Sequence, residues 1–160
     1  MPVTGQPATP DELGELEARI SAWLATQLEE NPSLAAVDRG EPGERRWYVR
    51  LLGEEKDITT VWLTLGQRTL QYETYVMPAP EEDEATFYQH LLVRNLGFRG
   101  WAFAIGEEAA VFLAGSIGVE ALEGDDVLDD ALDRIVGSGW EYVERCFKPA
   151  LRIGFASRFS

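Results

Sequence analysis

The chain has 160 residues, 45% of them apolar, with five tryptophans, one cysteine and a formal net charge of −14. That length and apolar content suit one domain with a real core and exclude global disorder. The acid surplus repels phosphate backbones and anionic membranes and so argues against nucleic-acid and membrane partners.

No run of about eighteen apolar residues marks a membrane span, and no basic stretch with an apolar core marks a signal peptide. The lone Cys146 leaves no internal disulfide and suits a reducing compartment, so a cytoplasmic protein is expected. Residues 1–8 are small and polar and read as a flexible tail. A single domain is expected over 9–156, with a second tail at 157–160.

Thr9-Pro10-Asp11-Glu12 reads as a helix start, with Thr9 as N-cap and Glu12 closing a capping box. Leu13, Leu16, Ile20, Trp23, Leu24 and Leu28 follow at helical spacing, and Asn31-Pro32 stops the helix. A loop at 38–44 leads to a strand at 46–52. A hairpin over 59–76 follows, its two-residue turn at Gly66-Gln67 setting Leu63 opposite Leu70, Val61 opposite Tyr72 and Thr59 opposite Thr74. A turn one residue longer would mix apolar and polar faces.

Pro78-Ala79-Pro80 ends that hairpin, and the acids at 81–84 open a second helix. Its expected buried stripe is Phe87, Tyr88, Leu91, Leu92 and Leu96, with Gly97 as its stop. Trp101, Phe103 and Ile105 alternate with alanines as a fourth strand, and Gly106-Glu107-Glu108 turn into a fifth at 109–116. A last helix runs over 125–148 and ends at Pro149, with Leu128, Leu132, Ile135, Val136, Val143 and Phe147 inward. The order α-β-β-β-α-β-β-α predicts an α+β fold with an antiparallel five-stranded sheet packed by helices.

Residue types that carry chemistry are sparse. His90, the only histidine, reads as a rim residue, and Cys146 as a structural thiol without a positioned base. The acids Glu120, Glu123, Asp125, Asp126, Asp129, Asp130 and Asp133 lack the alternate spacing and central glycine of a calcium loop. Ala114-Gly115-Ser116-Ile117-Gly118 resembles a nucleophile elbow but has Ala where its first Gly must stand. Gly137-Ser138-Gly139 falls inside a helical pattern, where close packing of a bulky neighbour or a bend explains it. No catalytic set, metal site or cofactor is expected.

The sheet is more suggestive. With Val49, Val61, Leu63, Leu70 and Tyr72 facing the helices, Tyr48, Arg50, Trp62, Gln71 and Tyr75 lie together on the other side. Trp, Tyr and Arg on one face suit partner recognition. A second reading is a small-molecule sensor whose pocket, between helix two and the sheet, uses Arg94, Asn95 and Trp101.

The segment 59–63 with the Gly66 turn, the stretch 87–95 (Phe-Tyr-Gln-His-Leu-Leu-Val-Arg-Asn), the strand pair over 101–115 and Leu151-Arg152-Ile153-Gly154-Phe155 carry a resemblance. Over about 11–155, the chain resembles the YbjN-domain family, particularly its actinobacterial members. It departs from that pattern at Gly106-Glu107-Glu108, where relatives often have a longer turn, and at Lys148-Pro149, where an acidic stretch is usual. The resemblance implies a fold similar to type III secretion chaperones, a cytosolic homodimer that binds segments of partner proteins, and a regulatory role in signalling or stress. It implies no catalytic residues.

Overall fold

In the computed structural model, which describes residues 6–158 and only the backbone of Asp125, three helices and six strands alternate. In chain order they are α1 (Pro10–Glu30), β1 (Leu34–Arg39), β2 (Arg46–Leu52), β3 (Ile58–Leu65), β4 (Thr69–Met77), α2 (Glu84–Asn95), β5 (Ala102–Ile105), β6 (Val111–Gly118) and α3 (Asp125–Gly154). Every pairing is antiparallel, in the order β1-β2-β3-β4-β6-β5. The fold is α+β with a six-stranded sheet, one strand more than expected.

The added strand is β1. Its run Leu-Ala-Ala-Val-Asp-Arg has weak strand propensity, and a bulge between Leu34 and Ala36 breaks its alternation. Pairing along β2 makes it a strand, which no local signal announces.

The capping box forms as read. The Thr9 hydroxyl accepts from the Glu12 amide at 3.2 Å, and the Glu12 carboxylate accepts from the Thr9 amide at 3.0 Å. Leu13, Leu16, Ile20, Trp23 and Leu24 are buried, whereas Leu28 near the helix end is exposed.

The central hairpin keeps its faces but not its register. Leu65 stands opposite Leu70, Leu63 opposite Tyr72 and Val61 opposite Thr74, two residues from the expected pairing. The Gly66 amide closes the loop on the Thr69 carbonyl at 2.9 Å. In the shorter loop Leu65 would have faced Arg68; the observed register sets apolar against apolar. A slip of two preserves side-chain parity, so no residue changes face.

The last helix does not stop at Pro149. It continues to Gly154, because Ala150, Leu151 and Phe155 prolong the apolar stripe and the Gly154 carbonyl accepts the Glu81 and Glu82 amides at 2.9 and 3.1 Å. Burial past the proline outweighs the roughly 3 kcal/mol that a helix-interior proline costs. Of the expected tail at 157–160, residues 159–160 lie outside the described residues, Ser157 bonds Glu82, and Arg158 forms a two-pronged pair with Glu81 at 2.6 and 2.7 Å. Of the expected N-terminal tail, residues 1–5 lie outside the described residues, and Ala8 donates to the Gln67 carbonyl at 2.7 Å.

One strand face, comprising Trp47, Val49, Val61, Leu63, Leu70, Tyr72 and Leu113, forms a single core with all three helices. In α3, Gly139 is buried against the indole of Trp101, where an added Cβ would lie 2.5 Å from the ring. Gly137, two residues earlier, is exposed with open space around it. The two glycines therefore predict opposite results. Gly137→Ala should stabilise by about 1 kcal/mol through helix propensity, and Gly139→Ala should destabilise by about 1–3 kcal/mol through overpacking. Urea denaturation of both variants checks the signs.

Candidate functional site

The face of the sheet away from the helices is open. Strand alternation places Arg46, Tyr48 and Arg50 of β2, Trp62 and Thr64 of β3, Gln71, Glu73 and Tyr75 of β4, and Phe112 of β6 on it. Among the described residues no helix covers them: Trp62 is 40% and Tyr75 45% exposed. The five residues expected here do share this face. Sequence reasoning omitted Arg46 and Phe112, the latter because Val111-Phe112-Leu113 is a continuous apolar run without visible alternation.

Aromatic pairs organise the surface. Tyr48 meets Trp62 edge-on with centroids 5.1 Å apart, and Tyr75 meets Phe112 edge-on at 5.7 Å. The Arg46 guanidinium lies 5.8 Å from the Trp62 ring, with its Nε donating to the Thr64 hydroxyl at 3.1 Å. Around these side chains lies a hollow of about 410 Å³ that also touches Gln71, Glu73 and Ser116. The cations on this face have nearby acids, Arg46 with Glu44 at 3.5 Å and Arg50 with Asp38 at 3.8 Å. Lys56, at the margin, donates to the Tyr75 carbonyl at 3.0 Å, and burial holds its pKa below the usual lysine value.

Arg94, Asn95 and Trp101 serve different surroundings. The Asn95 carboxamide accepts from the Phe103 amide at 2.7 Å and donates to its carbonyl at 3.4 Å. It thus occupies both polar groups that the edge strand β5 offers outward at Phe103. Trp101 is buried, donates to the Ile135 carbonyl at 3.0 Å and leans on Tyr72 with centroids 4.6 Å apart. Arg94 is exposed on α2.

Of the expected stripe on α2, only Phe87 and Leu91 are buried, and Tyr88 is half-buried. Leu92 and Leu96 are 65% and 89% exposed, because α2 touches its neighbours along a narrow line and ends at Asn95. With Val93 they form an uncovered apolar row.

Burial lowers the His90 pKa, with Arg94 acting in the same direction, and its buried Nε2 has no hydrogen-bond partner among the described residues. Cys146 is buried, and burial raises its pKa against the smaller opposing pulls of Arg94 and Arg145. That is the reverse of an activated nucleophile. No group of three or more potential metal ligands occurs among the described residues. The elbow-like stretch 114–118 lies within β6 rather than at a strand-to-helix turn. Among the described residues, no helix is long and apolar enough to cross a membrane.

No protein-family model matches the chain. Uncharacterized proteins of Mycobacterium bovis and Mycobacterium tuberculosis are each 30% identical over 109 residues, covering 68% of this chain and 57% of theirs. One of Mycobacterium leprae is 28% identical over 115 residues, covering 72% of this chain and 60% of its own. The matched part is therefore under two thirds of the relatives' length. A solved structure, the di-domain ARO/CYC BexL from the BE-7585A biosynthetic pathway, aligns with 91% of this chain and 48% of its own at 11% identity. Its TM-score is 0.29, and a likeness that slight carries neither fold nor activity.

Two measurements follow from the site geometry. Asn95→Ala should destabilise by about 1–3 kcal/mol, since it strips the Phe103 amide and carbonyl of their side-chain partner; urea denaturation reads this. At pH 8 native Cys146 should react with a thiol reagent far more slowly than in denaturant, because burial both shields it and suppresses its thiolate. Equal rates in the two states would contradict that assignment.

Proposed function

We propose that the chain is a protein-binding module of a chaperone-like or regulatory kind, acting without catalysis through its open sheet face. The observation that supports this reading best is the pair of exposed aromatics Trp62 and Tyr75 on a face that no helix covers. Large aromatics flanked by arginine are the side chains that most often carry binding energy when a partner desolvates them. Their nearby acids offset the local arginines, so this face offers a less repulsive landing area on a chain of net charge −14. The partner envisaged is a segment of another protein with an apolar or aromatic anchor that fills the hollow beside Trp62.

The resemblance to the YbjN-domain family, and through it to type III secretion chaperones, belongs to this proposal. So do the cytoplasmic setting, the absence of nucleic-acid and membrane partners, the role in signalling or stress, and the homodimer. Leu92, Val93 and Leu96 would be the contact between copies, since an apolar row this exposed is costly to leave in water. Two chains this acidic repel each other, so added salt should strengthen that association.

Light scattering should give twice the 17.9 kDa chain mass, and Leu96→Asp should return the monomer. Trp62→Ala with Tyr75→Ala should weaken capture of a copurifying protein by about tenfold or more while the chain stays folded, with only the modest loss of thermal midpoint that deleting two cross-strand aromatic pairs brings. A strict monomer that captures nothing would sink the reading.

A further inference from the structure

Acids outnumber lysines and arginines 28 to 14 in this chain, so a cation without a nearby carboxylate needs explanation. Arg39, Arg45, Arg46, Arg50, Arg145, Lys148 and Arg158 all pair with acids. Lys56, Arg94, Arg99, Arg134 and Arg152 form no ion pair among the described residues, and of these only Arg99 and Arg134 share a cleft. They arise on different elements, yet both line one cleft of about 440 Å³ between α3 and the turn that enters β5. That volume is within the usual range for small-molecule sites, and none of the residues lining it is acidic. By contrast, the hollow beside α1 is lined by Glu12, Glu15, Glu120 and Glu123.

The cleft is held in shape by hydrogen bonds to the turn that presents Arg99. Gly100 takes a φ of +77°, and the Tyr72 hydroxyl donates to its carbonyl at 2.6 Å. The Tyr142 hydroxyl accepts from the Arg99 amide at 3.1 Å. On the opposite wall the Arg134 Nε donates to the Asp130 carbonyl at 3.4 Å, one helical turn back. Arg134 also eases the Tyr72 phenol's deprotonation against the larger upward push of burial, so its field reaches the cleft floor. Trp101 and Tyr142, 4% and 9% exposed, also border the cleft, their rings packed on Tyr72 and Phe98.

We infer that this cleft is a binding site for a small organic oxyanion, a carboxylate or phosphate ester. Guanidinium groups match the oxygens of such a head group. The site differs from the hollow of the open face in holding Arg99, Arg134 and α3, although Tyr72 and Ser116 border both. It includes Trp101 but neither Arg94 nor Asn95.

Benzoate and phenyl phosphate, with benzyl alcohol as the neutral control, can be titrated into the labelled full chain and followed by proton–nitrogen correlation spectra. The expected result is saturable movement of the Trp101 indole N–H and the Gly100 amide with at least one anion. The double variant R99Q/R134Q, altered only at exposed side chains, should weaken that binding by about tenfold or more without moving the thermal midpoint. Added salt should weaken it as well. Equal binding of benzyl alcohol, unchanged affinity in the double variant, or no saturable shift up to about 10 mM of either anion would overturn the assignment.

Discussion

The seating of α3 on the sheet is the constraint on which the other features depend. From Ile135 to Lys148 it holds both halves of the sheet by side chains of specific kinds. Gly139 admits the Trp101 indole, and the Ile135 carbonyl takes that ring's N–H. One turn further on, the Trp140 indole donates to the Leu52 carbonyl at 3.0 Å, and the Glu144 carboxylate accepts the amides of Glu54, Glu55 and Lys56 at 2.6, 3.2 and 3.0 Å. Lys148 adds an ion pair to Glu55 at 2.9 Å. The β2–β3 turn therefore has its polar amides satisfied by a helix some ninety residues later in the chain. Gly53 is needed there because a Cβ would collide with the Lys56 carbonyl oxygen and lie 2.7 Å from that carboxylate.

Because all three helices pack on one side, the other side remains in water. A one-sided antiparallel sheet is an ordinary arrangement, but its open face is more often dominated by small polar and charged residues than by Trp, Tyr and Phe. The distribution of charge is as uneven as that of apolar surface. Acids crowd the helix starts and loops, while the open face carries offset charges and the cleft under α3 carries two arginines alone. Of the C-terminal basic residues, Arg145, Lys148 and Arg158 are each paired with a glutamate, while Arg152 forms no ion pair among the described residues.

Much of this was legible along the chain where a local rule governs. The capping box at Thr9, the bounds of β2 and the sorting of Tyr48, Arg50, Trp62, Gln71 and Tyr75 onto one face all follow from period and capping chemistry. Other features lack such a signal. β1 becomes a strand only by pairing with β2. The β5–β6 turn places Glu108 and Ala109 at φ of 57° and 60°, a left-handed pair that usually announces itself with Asn-Gly. Pro149 reads as a stop because its local cost is visible while the burial of Ala150 and Phe155 is not. Leu92 and Leu96 read as core because helical spacing identifies an apolar stripe without saying what lies against it.

The sequence by itself determined which residues could share a face, since the strand repeat of two and the helix repeat near 3.6 are properties of the backbone. It determined the hairpin's parity and the start of α1. Only the tertiary structure decided the register of β3 against β4, the edge position of β1, the length of α3 and the uncovered state of α2. It also decided that Arg99 and Arg134, thirty-five positions apart, line one acid-free cleft. These outcomes depend on energies of burial and pairing between distant segments, which periodicity along a chain does not encode.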